Sequence, residues 1–214
     1  MSASPWGGSA DEVTAAAAAA SSWSDLADAV AGCTACADLV ASRTRTVPGV
    51  HPAGARLLLV GEGPGATEDA QGVPFVGRAG QLLDELLAAA GLARSEVAVA
   101  NVVKCRPPAN RAPTRAEAAT CRPWLQRQLD IAAPVLVVTL GGTAAQWALG
   151  PAVRLGAARG RVHEVDGRAV VVTYHPSAAL RFGPNGAPRA ALADDLQHVA
   201  ELLKAPTVDR GATW

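Results

Sequence analysis

Four cysteines are the first residues whose types and spacing suggest chemistry. Cys33 and Cys36 form a C-x2-C pair, and Cys105 and Cys121 follow with fifteen residues between them. Four thiolates suit tetrahedral zinc or an iron–sulfur cluster. A zinc ribbon usually carries two C-x2-C pairs. Here there is one, yet the spacing does not exclude zinc. Four buried thiols is the plain alternative, since cysteine is often a small core residue. A thioredoxin-like redox pair fits less well, because no βαβ unit surrounds Cys33 and Cys36.

A second set of candidates is Glu62, Asn101 and His175, with Phe75 in the loop between the first two. The stretch "LLLVGEGPGATEDAQGVPFVG" (57–77) runs from an apolar segment into a glycine-rich loop. That loop carries Glu62, Glu68 and Asp69 and no lysine, so it is not a phosphate cradle. Its glycines let backbone approach a ligand closely, which suits a flat neutral one. Phe75 is one of only two phenylalanines in the chain. Asn101 offers a donor and an acceptor from one planar amide. His51, His163 and His198 lack comparable context and read as surface or structural residues.

The elements that must position these residues alternate between strand and helix. Arg56–Val60 reads as a strand buried on both faces, since Leu57, Leu58, Leu59 and Val60 are all apolar. Ala79–Ala90 reads as a helix capped by Gly91. Val97–Asn101 and Val135–Leu140 read as further strands, and Gly141–Leu149 turns into a short helix. Thr114 and Glu117 form a capping box that opens a helix to about Ile131. Arg161–Val165 and Arg168–Tyr174 flank Asp166-Gly167, a type I′ hairpin signal. The last helix is expected from about Arg189 to Lys204. The fold class is α/β, with a mostly parallel sheet covered on both faces. Glu62, Asn101 and His175 then emerge at the carboxyl ends of strands, where open α/β sheets bind ligands. Residues 1–20 read as a flexible or marginally helical leader, 21–204 as one domain, and 205–214 as a flexible tail.

The chain has 214 residues and a formal net charge of zero. The sum hides an asymmetry: residues 1–100 hold 11 acids and 5 bases, and residues 101–214 hold 8 acids and 14 bases. Residues 101–128 contain six bases and one acid. Lys104, Arg106, Arg111 and Arg115 sit in a proline-rich loop beside the later cysteines, an arrangement suited to a phosphate backbone. No apolar run approaches the roughly 20 residues a bilayer span needs. No secretory signal pattern opens the chain. The expectation is a cytoplasmic protein with no membrane partner, in a compartment where cysteines are more often metal ligands than disulfides.

Three segments, "GEGPGATEDAQGVPFVGRAGQLLDELLAAAGL" (61–92), "NVVKCRPPANRAPTRAEAATC" (101–121) and "RGRVHEVDGRAVVVTYHPSAALR" (159–181), resemble family 4 uracil-DNA glycosylases. The early "CTAC" (33–36) completes the likeness. The resemblance implies a three-layer α/β/α sandwich with a short, mainly parallel central sheet. It implies a 4Fe-4S cluster on Cys33, Cys36, Cys105 and Cys121. It implies hydrolysis of the N-glycosidic bond of deoxyuridine, with uracil-containing DNA as partner; a monomer is expected. Phe75 matches the aromatic that stacks on uracil, Asn101 the residue that reads its amide edge, and His175 the residue facing O2. Glu62, Gly63 and Pro64 match the first pocket motif. Lys104, Arg106, Arg111, Ser177 and Arg181 are the expected DNA contacts, with Ser177 also expected to cap the helix after His175.

The chain departs from the superfamily pattern at one point. The best-known branch has Asp-Pro-Tyr in the first loop, and this chain has Gly63-Pro64-Gly65. The usual aspartate base is absent, so Glu62 or Glu68 is left to position water. A related iron–sulfur branch traps DNA through a histidine in a basic loop. Here that region reads "RPPANRAPTR", without histidine, and ordinary turnover is expected. Two other classes stay open: a non-enzymatic iron–sulfur module that binds nucleic acid or senses redox state, and a zinc-stabilised nucleotide-binding protein.

Overall fold

The computed structural model describes residues 9–205. Five strands form one sheet: β1 (Leu57–Gly61), β2 (Val97–Asn101), β3 (Leu136–Leu140), β4 (Val162–Val165) and β5 (Arg168–Thr173). Their order is β2-β1-β3-β5-β4. All neighbours run parallel except β4, which pairs antiparallel with β5. The helices are α1 (Ala10–Ala19), α2 (Trp23–Ala31), α3 (Ala37–Ser42), α4 (Ala66–Gln71), α5 (Arg78–Ala89), α6 (Arg115–Ala132), α7 (Gly142–Leu149), α8 (Leu155–Ala158), α9 (Pro176–Phe182) and α10 (Ala187–Lys204).

Every residue of β1, β2 and β3 is buried. Successive side chains of a strand point to opposite faces, so these strands need cover on both. Leu58, Val60, Ala98 and Val137 pack with Leu26 of α2 and Trp124 of α6. Leu57, Leu59, Val99 and Val138 pack with Leu83 of α5 and Leu196 of α10. The result is the three-layer sandwich expected from the sequence. Asp166 and Gly167 both adopt positive φ, 50° and 73°, as a type I′ turn requires.

The leader expectation is corrected for residues 10–19. Ser9 and Glu12 form a capping box, and α1 buries Val13, Ala16 and Ala17. The alanines that make the segment look bland are small enough to pack closely on α6. Residues 1–8 and 206–214 lie outside the described residues, and with them most of the expected tail.

The chain leaves β1 for β2 on one side and then crosses to β3 on the other. That reversal opens a crevice at the carboxyl ends of the strands. Gly61, Asn101 and Gly141 sit at or just past those ends, and His175 follows two residues after β5.

Candidate active site

Gly61 and Asn101 are partners in the parallel register at the ends of β1 and β2. Asn101 is 2% exposed. Its Oδ1 is buried and has no hydrogen-bond partner. An unpaired buried acceptor costs about 1–3 kcal/mol, so this one is poised for a donor brought by a ligand. A Cβ on Gly61 would stand 2.4 Å from Asn101 Oδ1 and 2.6 Å from Phe75 Cζ. Only glycine lets the β1 backbone lie beneath both groups.

Phe75 is 6% exposed. Its φ is +55°, a left-handed conformation that bulky residues rarely adopt. Two features hold it there. Glu68 Oε1 accepts the Val76 and Gly77 N–H groups at 3.0 and 2.8 Å, just after the ring. Gly80 then passes so close that a Cβ would sit 1.7 Å from the Phe75 carbonyl oxygen. The ring faces His175, with centroids 5.6 Å apart and planes tilted by 36°.

His175 is the N-cap of α9. Its Nδ1 accepts the Ser177 N–H at 3.1 Å and lies 2.8 Å from Ser177 Oγ. A backbone N–H can only donate, so Nδ1 carries no proton and Nε2 is the donor of the neutral ring. Burial lowers the pKa to about 4, with the Glu68 charge opposing that shift. The histidine is therefore neutral near pH 7. Gly141, at φ +91°, lets β3 approach: a Cβ there would lie 2.9 Å from His175 Cβ.

The two carboxylates divide sharply. Glu68 gives Oε1 to the Phe75 loop and Oε2 to the Gly65 N–H at 3.1 Å, so both oxygens serve backbone. Glu62 is half-buried and receives one hydrogen bond at Oε2, from Thr143 Oγ1 at the start of α7. Among the described residues its Oε1 accepts none, which leaves that oxygen for a ligand or water. Pro64 is buried beside it. A Cβ on Gly63 would meet Val103 Cγ2 at 2.8 Å.

Several expected DNA contacts are corrected. Lys104 is 1% exposed. Its Nζ donates to the Asn101 carbonyl at 2.7 Å and to Gln128 Oε1 at 2.5 Å, so it cannot reach a phosphate. Arg111 is taken up by a bidentate pair with Glu117, at 2.8 and 2.7 Å, which closes the N-terminus of α6. Its guanidinium is one reason the Glu117 pKa falls to about 2. Ser177 does not cap α9; His175 does. Arg106 donates to Asn110 Oδ1 at 2.7 Å. Arg181 is exposed and makes no ion pair among the described residues. His51 stacks on Trp23 at 5.0 Å, and His163 Nε2 lies 2.8 Å from the Ala158 carbonyl, so both are structural as expected.

The four cysteines line one pocket with Leu39, Arg43, Lys104 and Trp124. All four are free thiols. Among the described residues, no three histidine, cysteine or acidic side chains draw close enough to hold a single metal ion. No carboxylate or histidine lines this pocket, so the four cysteine sulfurs are its anionic donors. Arg43 Nη1 donates to Cys105 Sγ at 2.8 Å, a contact that favours a thiolate. Burial pushes the thiol of Cys36 up to about 11 and that of Cys121 up to about 12. A cationic group in the pocket would reverse that penalty and hold the sulfurs as thiolates. The donor chemistry thus fits a sulfur-ligated group that spans the pocket.

Gly61, Gly80, Thr143 and Arg43 were not singled out in the sequence. Gly61, Thr143 and Arg43 act through partners distant along the chain, and Gly80 through a close approach to Phe75 that exists only once the loop is folded.

The profile of the uracil DNA glycosylase superfamily matches residues 48–197. The chain is 44% identical over 181 residues to the type-4 uracil-DNA glycosylase of Thermotoga maritima, covering 84% of this chain and 93% of that one. It is 40% identical over 194 residues to the type-4 uracil-DNA glycosylase of Archaeoglobus fulgidus, covering 86% and 96%. It is 34% identical over 186 residues to the type-5 uracil-DNA glycosylase of Mycobacterium bovis, covering 74% and 67%. The chain belongs to the uracil DNA glycosylase superfamily, on its type-4 branch.

Proposed function

We propose that the protein hydrolyses the N-glycosidic bond of deoxyuridine in DNA, releasing uracil and leaving an abasic site for repair. The observation that carries this reading is the buried, unpartnered Asn101 Oδ1 beside Phe75 and the neutral His175. The target base must leave the duplex to reach such a pocket, and stacking on an aromatic ring offsets part of that cost by about 1–3 kcal/mol. Asn101 Oδ1 accepts N3–H of uracil, and its amide nitrogen donates to O4. Cytosine reverses both features, with a bare N3 and an amino group at C4. It would leave buried polar groups unpaired and is rejected for that reason.

Bond cleavage places negative charge on the departing base and positive charge on the sugar. His175 donates from Nε2 to O2 and stabilises the anion without having to be protonated. Glu62, with a free Oε1, positions the water. Glu68 shapes the pocket instead, because both its oxygens hold backbone. Arg106, Ser177 and Arg181 are the proposed DNA contacts, since Lys104 is buried and Arg111 is held by Glu117.

In this reading Cys33, Cys36, Cys105 and Cys121 hold a 4Fe-4S cluster. When bound it ties the segment around Cys33 to the loop that follows Asn101, and it takes no part in the base-release chemistry. The enzyme acts as a monomer in the cytoplasm. Among the described residues no helix is long and apolar enough to cross a membrane.

The direct test is uracil release from single- and double-stranded oligonucleotides by protein whose iron and sulfide have been quantified. Release that falls with His175→Ala supports the assignment. No release from either substrate by folded, cluster-loaded protein refutes it.

A further inference from the structure

We propose that Arg43 is a charged hydrogen-bond donor to the cluster ligand Cys105, and that it sets the reduction potential of the cluster and slows its loss. This rests on the cluster reading above. The guanidinium sits just past α3, where Nη1 donates to Cys105 Sγ at 2.8 Å and Nη2 donates to the Cys33 carbonyl at 2.6 Å. One rigid fork thus joins the two chain segments that supply the ligands. Arg43 makes no ion pair with a carboxylate among the described residues, so its charge is directed at the sulfur pocket it lines.

Its position is also fixed from outside. Ser42 Oγ donates to the Arg106 carbonyl at 2.6 Å, one residue beyond Cys105. The Thr44 N–H donates to the Asp69 carboxylate at 2.9 Å. Asp69 is 2% exposed and belongs to α4, next to the pocket loop. Arg43 is therefore held from both sides, and the contact does not depend on a loose surface side chain.

Hydrogen bonds to ligand sulfurs and nearby charge are main determinants of cluster potential. A cation donating to a thiolate stabilises the electron-rich state and raises the potential. It also opposes departure of the ligand. Lysine keeps the charge but cannot span both acceptors in one plane.

The test compares wild type with Arg43→Met, Arg43→Lys and the exposed neighbour Arg45→Met, all loaded anaerobically. Readouts are the midpoint potential of the cluster and the decay of its visible absorbance in air. Arg43→Met is expected to have a more negative midpoint potential and to lose its cluster about 10-fold faster, the size typical of lost outer-shell partners. Arg43→Lys is expected to fall between, and Arg45→Met to match wild type. If Arg43→Met loses its cluster during purification, Arg43→Lys supplies the potential. Potentials and lifetimes equal to wild type in both Arg43 variants overturn the proposal alone. Wild-type protein free of iron and sulfide overturns the cluster reading and the proposal with it.

Discussion

Replacing Gly61 by alanine adds one methyl group at the centre of the pocket. Its Cβ would fall 2.4 Å from Asn101 Oδ1, 2.6 Å from Phe75 Cζ and 2.8 Å from Phe75 Cε2. Ordinary contacts need 3.4 Å or more, so the neighbours must yield by roughly 1 Å. Neither moves freely. Asn101 is fixed at the end of β2 by Lys104, and Phe75 is pinned by Glu68 on one side and Gly80 on the other. Overpacking of this kind costs about 1–3 kcal/mol of stability. A misplacement near 1 Å in a positioning group can cost about 100-fold in rate. Gly61→Ala is therefore expected to lower single-turnover uracil release by about 100-fold. Its affinity for abasic or undamaged DNA should stay near wild type, because the phosphate contacts lie elsewhere. Its melting temperature should drop by several degrees. Gly156→Ala is the control, since nothing lies within 4 Å of its added Cβ. A Gly61→Ala protein with wild-type rate and wild-type melting temperature would refute the packing of Asn101 and Phe75 over β1.

The carboxylates can be separated by paired variants. Glu62→Gln should reduce the rate and leave the melting temperature unchanged, whereas Glu68→Gln should lower both, since it weakens three backbone hydrogen bonds. Asn101→Asp should erase most of the preference for uracil over cytosine, measured as the ratio of release rates from matched oligonucleotides; an unchanged ratio would remove Asn101 as the reader. His175 has its folded pKa lowered to about 4. The unfolded chain therefore takes up the proton first, and stability present above the ordinary histidine value is lost as pH falls toward 4. The release rate should show no histidine limb between about pH 5.5 and 8. A limb near the ordinary histidine value that disappears in His175→Ala would contradict the neutral ring.

The sheet was legible because its physics is local. Strands buried on both faces must be largely apolar, and β1, β2 and β3 are so apart from Thr139 within β3 and Asn101 at the end of β2. Thr114 with Glu117, and Asp166 with Gly167, mark an element start and a turn by residue type alone. The short helices were less legible. The chain shows Ser22 with Asp25, a capping box before α2, but the helix is only nine residues long. α1 hides in an alanine run, and its packing on α6 is what makes it a stable part of the fold. At the site, Asn101, Phe75 and His175 could be singled out from residue type, position and motif. The state of each charged group could not. Lys104 looks like part of a basic patch because its neighbours are arginines, yet its acceptor Gln128 lies 24 residues away on α6. Arg111 looks free until Glu117 is folded back onto it. Glu68 looks like a reactive acid until three N–H groups from two turns converge on it.

The burial of Lys104 carries a further consequence for the cysteine pocket. Cys105 directly follows the lysine whose Nζ holds the Asn101 carbonyl, and Cys121 lies on α6, the helix that supplies Gln128. The main chain reinforces this path: Val102 and Val103 donate to the carbonyls of Gly61 and Glu62 at 2.9 and 3.1 Å. Anything that draws Cys105 and Cys121 together also presses this loop against the ends of β1 and β2. Removing the bound group should therefore loosen the pocket before it loosens the core. Oxidative stripping followed by a chelator is expected to speed amide exchange in residues 101–121 and 33–43, and to abolish base release. Exchange in β3, β5 and α10 should stay slow, because those elements are packed on one another rather than on the cysteine loop. Uniform exchange throughout the stripped protein would mean that the bound group holds the whole fold together. Unchanged exchange in 101–121 would mean that it holds none of the site.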